Sequence, residues 1–420
     1  MKKLISALLF LPAIVGCNNN ANKEKEINTT TSDTVQTGAQ TVNLPEPYAT
    51  ESVRNMSKVI GWPADKMPQA PAGFVVTRFA DSLDSPRWIY VTDDGDIFVA
   101  ESSREAEKSA NRITLFKDKD NDGIPESRSV FLTGLNQPFG MLKHHDHFYV
   151  ANTDALMQYD YKDGAASIST PGKKILSLPG GPRHWTRNII ANAAGTKIYI
   201  AVGSGSNVAE DGFTKEIRRA NIIEVNPDGT GERIYASGLR NPVGMDWAPG
   251  TNTLWTAVNE RDELGDDLVP DYMTSVKEDG FYGWPWSYFG NHIDPRLKDS
   301  ANVNKAASAI VPDYALNAHT ASLGLVFYKG GNFPDKYNGG AFIGQHGSWN
   351  RSAFVGYKVV FVPFSNGKPS GPMEDFLTGF IADESKKEVY GRPVGVAVLK
   401  DGSLLVADDG GNKIWRVSKK

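Results

Sequence analysis

Short apolar runs separated by polar turns recur along most of this chain. Ser85-Pro86-Arg87-Trp88-Ile89-Tyr90-Val91 passes through Asp93-Asp94-Gly95-Asp96 into Ile97-Phe98-Val99-Ala100. Such runs are too short for helices, rich in β-branched and aromatic residues and bounded by Gly, Pro and Asp, so they predict strands. The same strand–turn–strand shape returns at 137–151, 184–200, 240–258, 319–344 and 392–407. Six occurrences at uneven spacing predict an all-β, six-bladed β-propeller with long loops inserted into its later blades. The run Gly73-Phe74-Val75-Val76 is expected to close the ring by pairing with the last blade.

The N-terminal segment breaks the pattern. Lys2-Lys3 precede an apolar stretch from Leu4 to Val15, too short for a mature membrane span but right for a secretory signal. Ile14-Val15-Gly16-Cys17 resembles the lipobox of bacterial lipoproteins, which implies lipidation of Cys17 and an extracytoplasmic, lipid-anchored protein. Asn18, in place of the aspartate that signals inner-membrane retention, favours the outer membrane. Residues 17–68 are mostly Asn, Thr, Ser, Lys, Glu and Gln and read as a flexible tether after a signal peptide at 1–16. Residues 69–420 then form the propeller domain.

Composition narrows the function. Charged residues make up 22% of the 420 residues against 41 Gly and 24 Pro, which suits many tight turns. A net charge of -4 leaves no basic footprint for nucleic acid. Cys17 is the only cysteine, so neither a disulfide within the chain nor a CxxCH haem attachment is available.

The richest polar cluster follows Gly238-Leu239-Arg240-Asn241-Pro242, where the strand Leu254–Val258 runs into Asn259-Glu260-Arg261-Asp262. A propeller keeps its chemistry at such strand ends, around a central funnel. Of the 7 histidines, His184 begins a repeat and is the best placed general base. His144, His145 and His147 fall in a predicted hairpin turn, and His319 and His346 are read as packed or hydrogen-bonded histidines at the funnel. Arg240 is either a functional cation or a buried ion pair tying blades together. Asp118-Lys119-Asp120-Asn121-Asp122-Gly123 alternates carboxylates before a glycine as calcium loops do, without the twelfth-position glutamate of an EF-hand. The aromatics from Tyr282 to Phe289 are assigned to packing.

These segments resemble the glucose/sorbosone dehydrogenase family, six-bladed quinoproteins that use pyrroloquinoline quinone (PQQ) and calcium. The resemblance spans roughly residues 70–420. It rests on Gly238-Leu239-Arg240-Asn241-Pro242, Asp279-Gly280-Phe281-Tyr282-Gly283-Trp284-Pro285, His184-Trp185-Thr186-Arg187-Asn188-Ile189, Val202-Gly203-Ser204-Gly205-Ser206-Asn207 and Gly391-Arg392-Pro393-Val394-Gly395. Asn259-Glu260-Arg261-Asp262 and Gly347-Ser348-Trp349-Asn350-Arg351 are similar to the sorbosone dehydrogenase-like branch. The resemblance implies oxidation of an aldose or sugar aldehyde to a lactone or acid, with electrons leaving to an external acceptor. It implies that His184 is the general base, that Arg240 stabilises charge on the quinone oxygen, and that Asn241, Asn259, Arg351 and Arg392 contact the cofactor. Glu260 and Arg261 fall where main-chain oxygens bind calcium, and the resemblance leaves Glu260 able to supply a carboxylate ligand instead. Gln137 takes the place of a family glutamine whose surrounding segment has changed. A calcium-dependent sugar lactonase and a non-catalytic carbohydrate-binding propeller stay open as alternatives at this point.

Overall fold

The computed structural model describes residues 33–120 and 122–420, so the signal segment and Cys17 lie outside the described residues. Those residues are almost entirely β, with short 3-10 turns in place of α-helix. Each of the six repeats supplies the first two strands of one sheet of four or five strands. The first sheet runs Pro86–Val91, Asp96–Glu101, Arg112–Lys117, Ser127–Leu132, each strand antiparallel to the last. In the sixth, Pro393–Val398, Leu404–Asp408 and Lys413–Lys419 are joined by Phe74–Ala80 from the other end of the chain. The predicted pairing of the Phe74 run with the last repeat is therefore formed.

Burial explains why the sequence shows runs and not only alternation. The second strand of the third sheet, Ile198–Val202, and of the fourth, Leu254–Val258, are buried at every position. A strand covered on both faces must be apolar throughout. The outermost strand of the second sheet, Lys173–Ser177, has no fully buried residue and carries its lysines outward.

Neighbouring sheets touch through their first strands. Trp88 packs on Phe139 between sheets one and two, with ring centroids 4.8 Å apart. Gly140 N–H donates to the Arg187 carbonyl at 2.9 Å, and the Asn188 amide donates to the Val243 carbonyl at 2.9 Å. Phe327 N–H donates to Asp246 at 2.8 Å across sheets four and five. Gly324 lies against the Val394 carbonyl, and Gly395 against the Arg87 carbonyl and Trp88, so the circuit returns to the first sheet. At those two glycines a Cβ would strike the neighbouring backbone.

Residues 33–68 depart from the expected tether. Asp33–Gln36 and Thr41–Leu44 form a hairpin that buries Val35, Val42 and Leu44 with Tyr199, Leu264 and Tyr288. Gln40 exchanges two hydrogen bonds with the Ala315 backbone, at 3.2 and 2.8 Å. Trp62 donates to the Asp408 carboxylate at 2.6 Å. Composition understated the hairpin because its three apolar strand residues, Val35, Val42 and Leu44, all sit on one face, where a small number suffices.

Candidate active site

In each sheet the first strand leaves, and the second strand returns to, the same end of the molecule. Residues just before first strands and just after second strands therefore converge there. They line a cavity of about 630 Å³. His184, Arg240, Asn241, His319 and Arg392 come from the first group, joined by Arg87 at the start of its first strand, and Arg104, Asn207, Asn259, Asp262, His346 and Asp409 come from the second.

His184 has a left-handed backbone, φ 43°, an uncommon conformation for a residue with a side chain. Arg187, fully buried, holds the His184 carbonyl at 2.7 Å. Gly203 packs against both the His184 Cβ and the Asn241 amide, and any side chain there would collide with both. The ring's Nδ1 lies 2.9 Å from the Ser204 carbonyl and 2.9 Å from Ser204 Oγ. A carbonyl only accepts, and the Ser204 hydroxyl already donates to the Ser206 carbonyl at 2.6 Å. Nδ1 must therefore carry the proton, which leaves the Nε2 lone pair free. Burial, followed by the Arg240 charge, pushes the His184 pKa down to about 3. The imidazole is a neutral base of fixed tautomer.

Arg240 is a fully engaged cation. Its guanidinium donates to the Asn207 carbonyl (3.3 Å) and side chain (2.9 Å), to the carbonyls of Asn259 (3.3 Å) and Glu260 (2.6 Å), and to Asp262 (3.1 Å). All five N–H groups of a guanidinium are thus spent on protein. Its charge can act at the cavity wall, but no hydrogen is left over. Asn207 is the hub of this network, since it also receives Asp262 N–H at 2.9 Å and the Trp284 indole at 2.9 Å. Trp284 is a packed aromatic, as expected.

Several sequence-predicted residues lie elsewhere. Arg351 does not line the cavity; it pairs with Asp267 at 2.7 Å and with the Asp266 carbonyl, because its loop turns toward 266–267. Gln137 is buried and donates to the Ser103 and Arg104 carbonyls at 2.8 and 3.0 Å, so it shapes the loop that bears Arg104. The Glu260 and Arg261 side chains are tied to each other in a buried ion pair, while Glu260 Oε1 has no hydrogen-bond partner among the described residues. Arg261 is fully buried and bonds Glu260 (2.9 Å), Asp294 (3.1 Å) and the carbonyls of Pro285 (2.9 Å) and Ser287 (2.6 Å). That ion pair consumes one Glu260 oxygen, and the Glu260 carbonyl accepts from Arg240. Asp118, Asp120 and Asp122 do gather, joined by Glu126, with ligand oxygens all within 4.8 Å of one another, in a surface loop separate from the cavity.

A family model described as TrAA12-like matches residues 68–279 and 289–420. The chain belongs to the TrAA12-like family. It is 30% identical over 367 residues to an uncharacterized protein of Borreliella burgdorferi, covering 83% of this chain and 90% of that one. It is 23% identical over 406 residues to the pyrroloquinoline quinone-dependent pyranose dehydrogenase of Coprinopsis cinerea, covering 83% of this chain and 54% of that protein. The match thus spans about half the length of that relative. Solved structures share the fold. The holo PQQ domain of the Coprinopsis cinerea pyranose dehydrogenase superposes with TM-score 0.71 at 20% identity, over 87% of this chain and 100% of that one. The PQQ-bound aldose sugar dehydrogenase of Streptomyces coelicolor gives 0.56 at 16% identity, over 84% and 100%.

Two further imidazoles line the cavity of this TrAA12-like protein, each on an aspartate. His319 lies 3.2 Å from Asp262 and 2.8 Å from the Gly265 carbonyl. Burial opposes its charge, but the Asp262 hydrogen bond and charge outweigh it and raise its pKa. His346 lies 2.8 Å from Asp409, which also takes Arg87 at 2.5 Å. There burial and the Arg392 charge prevail and push the pKa down to about 4. Sequence reasoning missed Arg87, Asn207 and Asp409. Arg87 had a signal, since it opens a first strand much as Arg240 and Arg392 stand just before theirs.

Proposed function

We propose that this chain is a six-bladed propeller dehydrogenase that uses PQQ and calcium to oxidise an aldose or a sorbosone-like sugar aldehyde to its lactone or acid. The six repeats, each opening one sheet, and the closed circuit of contacts between sheets support the blade count. Family membership and the named dehydrogenase relatives support the chemistry. The observation that carries the reading is one cavity holding a neutral imidazole with a free lone pair among guanidinium groups that outnumber the carboxylates.

The charges fit an anionic cofactor. Asp262 pairs with Arg240 (3.1 Å), Asp409 with Arg87 (2.5 Å), Glu210 with Arg183 (2.8 Å) and Glu263 with Arg296 (4.0 Å). Arg54, Arg104 and Arg392 also line the cavity and are left without a carboxylate among the described residues. A tricarboxylate would supply the three missing negative charges, and guanidinium groups pair carboxylates with permanent charge. Two buried wall atoms, Asn241 Oδ1 and Arg87 Nε, have no hydrogen-bond partner among the described residues. Buried polar atoms in that state need one.

When bound, the quinone supplies an electrophilic carbonyl that accepts two electrons as hydride. The chain's own residues do the rest. His184 Nε2 takes the proton of the sugar's anomeric hydroxyl while Ser204 keeps the ring oriented through Nδ1. Arg240 places a fixed positive charge in the wall, where it stabilises negative charge as it develops. Arg392, anchored on the His346 and Gly347 carbonyls at 3.0 Å each, would hold a cofactor carboxylate, and Asn241 and Asn259 would contact the cofactor.

Calcium finds hard oxygen donors in the loop of Asp118, Asp120, Asp122 and Glu126. At 259–261 the carbonyl oxygens of Asn259 and Glu260 both accept from Arg240, which does not fit a dication in the same place. Calorimetry on Asp120→Ala is expected to show one calcium fewer per chain; an unchanged stoichiometry removes the loop as a calcium site.

Reconstituting the purified chain with PQQ and calcium, then assaying a sugar panel with an artificial acceptor dye, tests the whole reading. No sugar-dependent dye reduction with quinone bound would leave a binding protein. The pH profile is a finer check. A base works deprotonated, and a lowered pKa keeps His184 deprotonated as pH falls, so kcat/KM should stay level from pH ~8 to ~5 and fall only toward its pKa of about 3. An acid limb near the unperturbed ~6.5 contradicts the burial argument.

A further inference from the structure

Residues 50–58 form a strap beside the cavity mouth, and they lie outside both stretches matched by the family model. Hydrogen bonds tie the strap to three separate loops. Thr50 Oγ1 accepts from Asp266 N–H at 2.7 Å, and the Val53 carbonyl from the Asn350 amide at 2.9 Å. Asn55 donates its N–H to the Trp349 carbonyl at 2.7 Å and its amide to the Ser352 carbonyl at 2.9 Å. Lys58 N–H donates to the Lys387 carbonyl at 2.7 Å. Between these anchors the strap contributes Arg54 and Met56 to the cavity lining. The Arg54 guanidinium has neither hydrogen bond nor ion pair among the described residues. Its backbone is pinned on both sides, at Val53 and Asn55, so engaging the side chain costs little further ordering.

We propose that the strap is a cofactor clamp, in which Arg54 pairs with one carboxylate of the bound quinone. The inference rests on the quinone reading above and goes beyond it, because the contact comes from a segment that the family match does not contain. The three unpaired guanidinium groups come from three unrelated elements. Arg54 is on the strap, Arg104 follows the second strand of the first sheet, and Arg392 precedes the first strand of the sixth. That spread suits carboxylates on different edges of one planar ring. Without Arg54 two unpaired cations face three carboxylates.

The test is quinone affinity, which needs no turnover. The full chain is titrated with PQQ in calcium buffer, and the dissociation constant is read by quenching of tryptophan fluorescence and by calorimetry. Arg54→Met should weaken binding on the order of tenfold and flatten its salt dependence, the loss of one charge-assisted pair. Arg54→Lys should recover part of the affinity. Lys58→Met removes the same charge from the same strap, but Lys58 does not line the cavity and pairs with Glu388 at 3.4 Å, so affinity should hold. Unchanged affinity in Arg54→Met, or an equal loss in Lys58→Met, overturns the clamp. A raised sugar KM with quinone affinity intact gives Arg54 to the substrate and overturns it too. If the unaltered chain binds no quinone, the cofactor reading fails first and the clamp falls with it.

Discussion

Replacing His184 with alanine is expected to lower sugar-dependent acceptor reduction by about 10²–10⁴-fold, with quinone binding and thermal stability close to those of the parent. The magnitude is that of one positioned proton acceptor. The case for His184 over His319 and His346 is the state of the lone pair. His319 is wedged between Asp262 and the Gly265 carbonyl, two acceptors that occupy both ring nitrogens and leave it no free lone pair. His346 is bound to Asp409 by Nε2 and has Arg87 beside it at 3.4 Å. Only His184 combines a fixed Nδ1–H, a free Nε2 and a depressed pKa. Alanine at φ 43° adds backbone strain, so His184→Asn is the companion variant. Asparagine tolerates left-handed backbone and can still donate to Ser204, yet it cannot take a proton. Single-turnover dye reduction near the parent rate in both variants would remove His184 from the chemistry.

The cavity's position was legible because it follows from strand geometry. Arginines and histidines stand at the starts of the repeats, and in a sheet whose first two strands form a hairpin those starts lie beside the ends of the second strands. His184, Arg240, Asn241, Asn259 and Arg392 accordingly line one cavity. Which way a side chain turns once it arrives is set by partners far away in sequence. Gln137 likewise stands before a first strand with a left-handed backbone, φ 48° against 43° for His184, but its amide is drawn to the Ser103 and Arg104 carbonyls. Arg351 is drawn to Asp267, and Arg261 to Asp294, 33 residues on. The strap was illegible for a different reason. Low hydrophobicity argues against a segment folding alone, but residues 50–58 are held by backbone and amide hydrogen bonds to walls already built by other loops.

Arg261→Met is expected to destabilise the chain by about 3–5 kcal/mol, because removing one partner of a buried pair strands the others. Arg261 is fully buried and linked to Glu260 and Asp294, which have side-chain exposures of 1% and 0%. Asp294 retains Arg296 at 2.7 Å, whereas among the described residues Glu260 has no second cation and one oxygen, Oε1, without a partner. The penalty should therefore sit mainly on Glu260, and adding Glu260→Gln to Arg261→Met should restore part of the loss. Arg351→Met is the contrast. Its partner Asp267 is 64% exposed, and solvent screening holds the expected cost to about 0–1 kcal/mol. Urea midpoints for the four proteins separate the possibilities. A large shift for Arg261→Met, partial recovery in the double variant and little change for Arg351→Met identify 260–261 as an ion-pair anchor for the loop that carries Arg240's carbonyl acceptors. Unchanged stability in Arg261→Met, accompanied by loss of one bound calcium, would return these two residues to the metal.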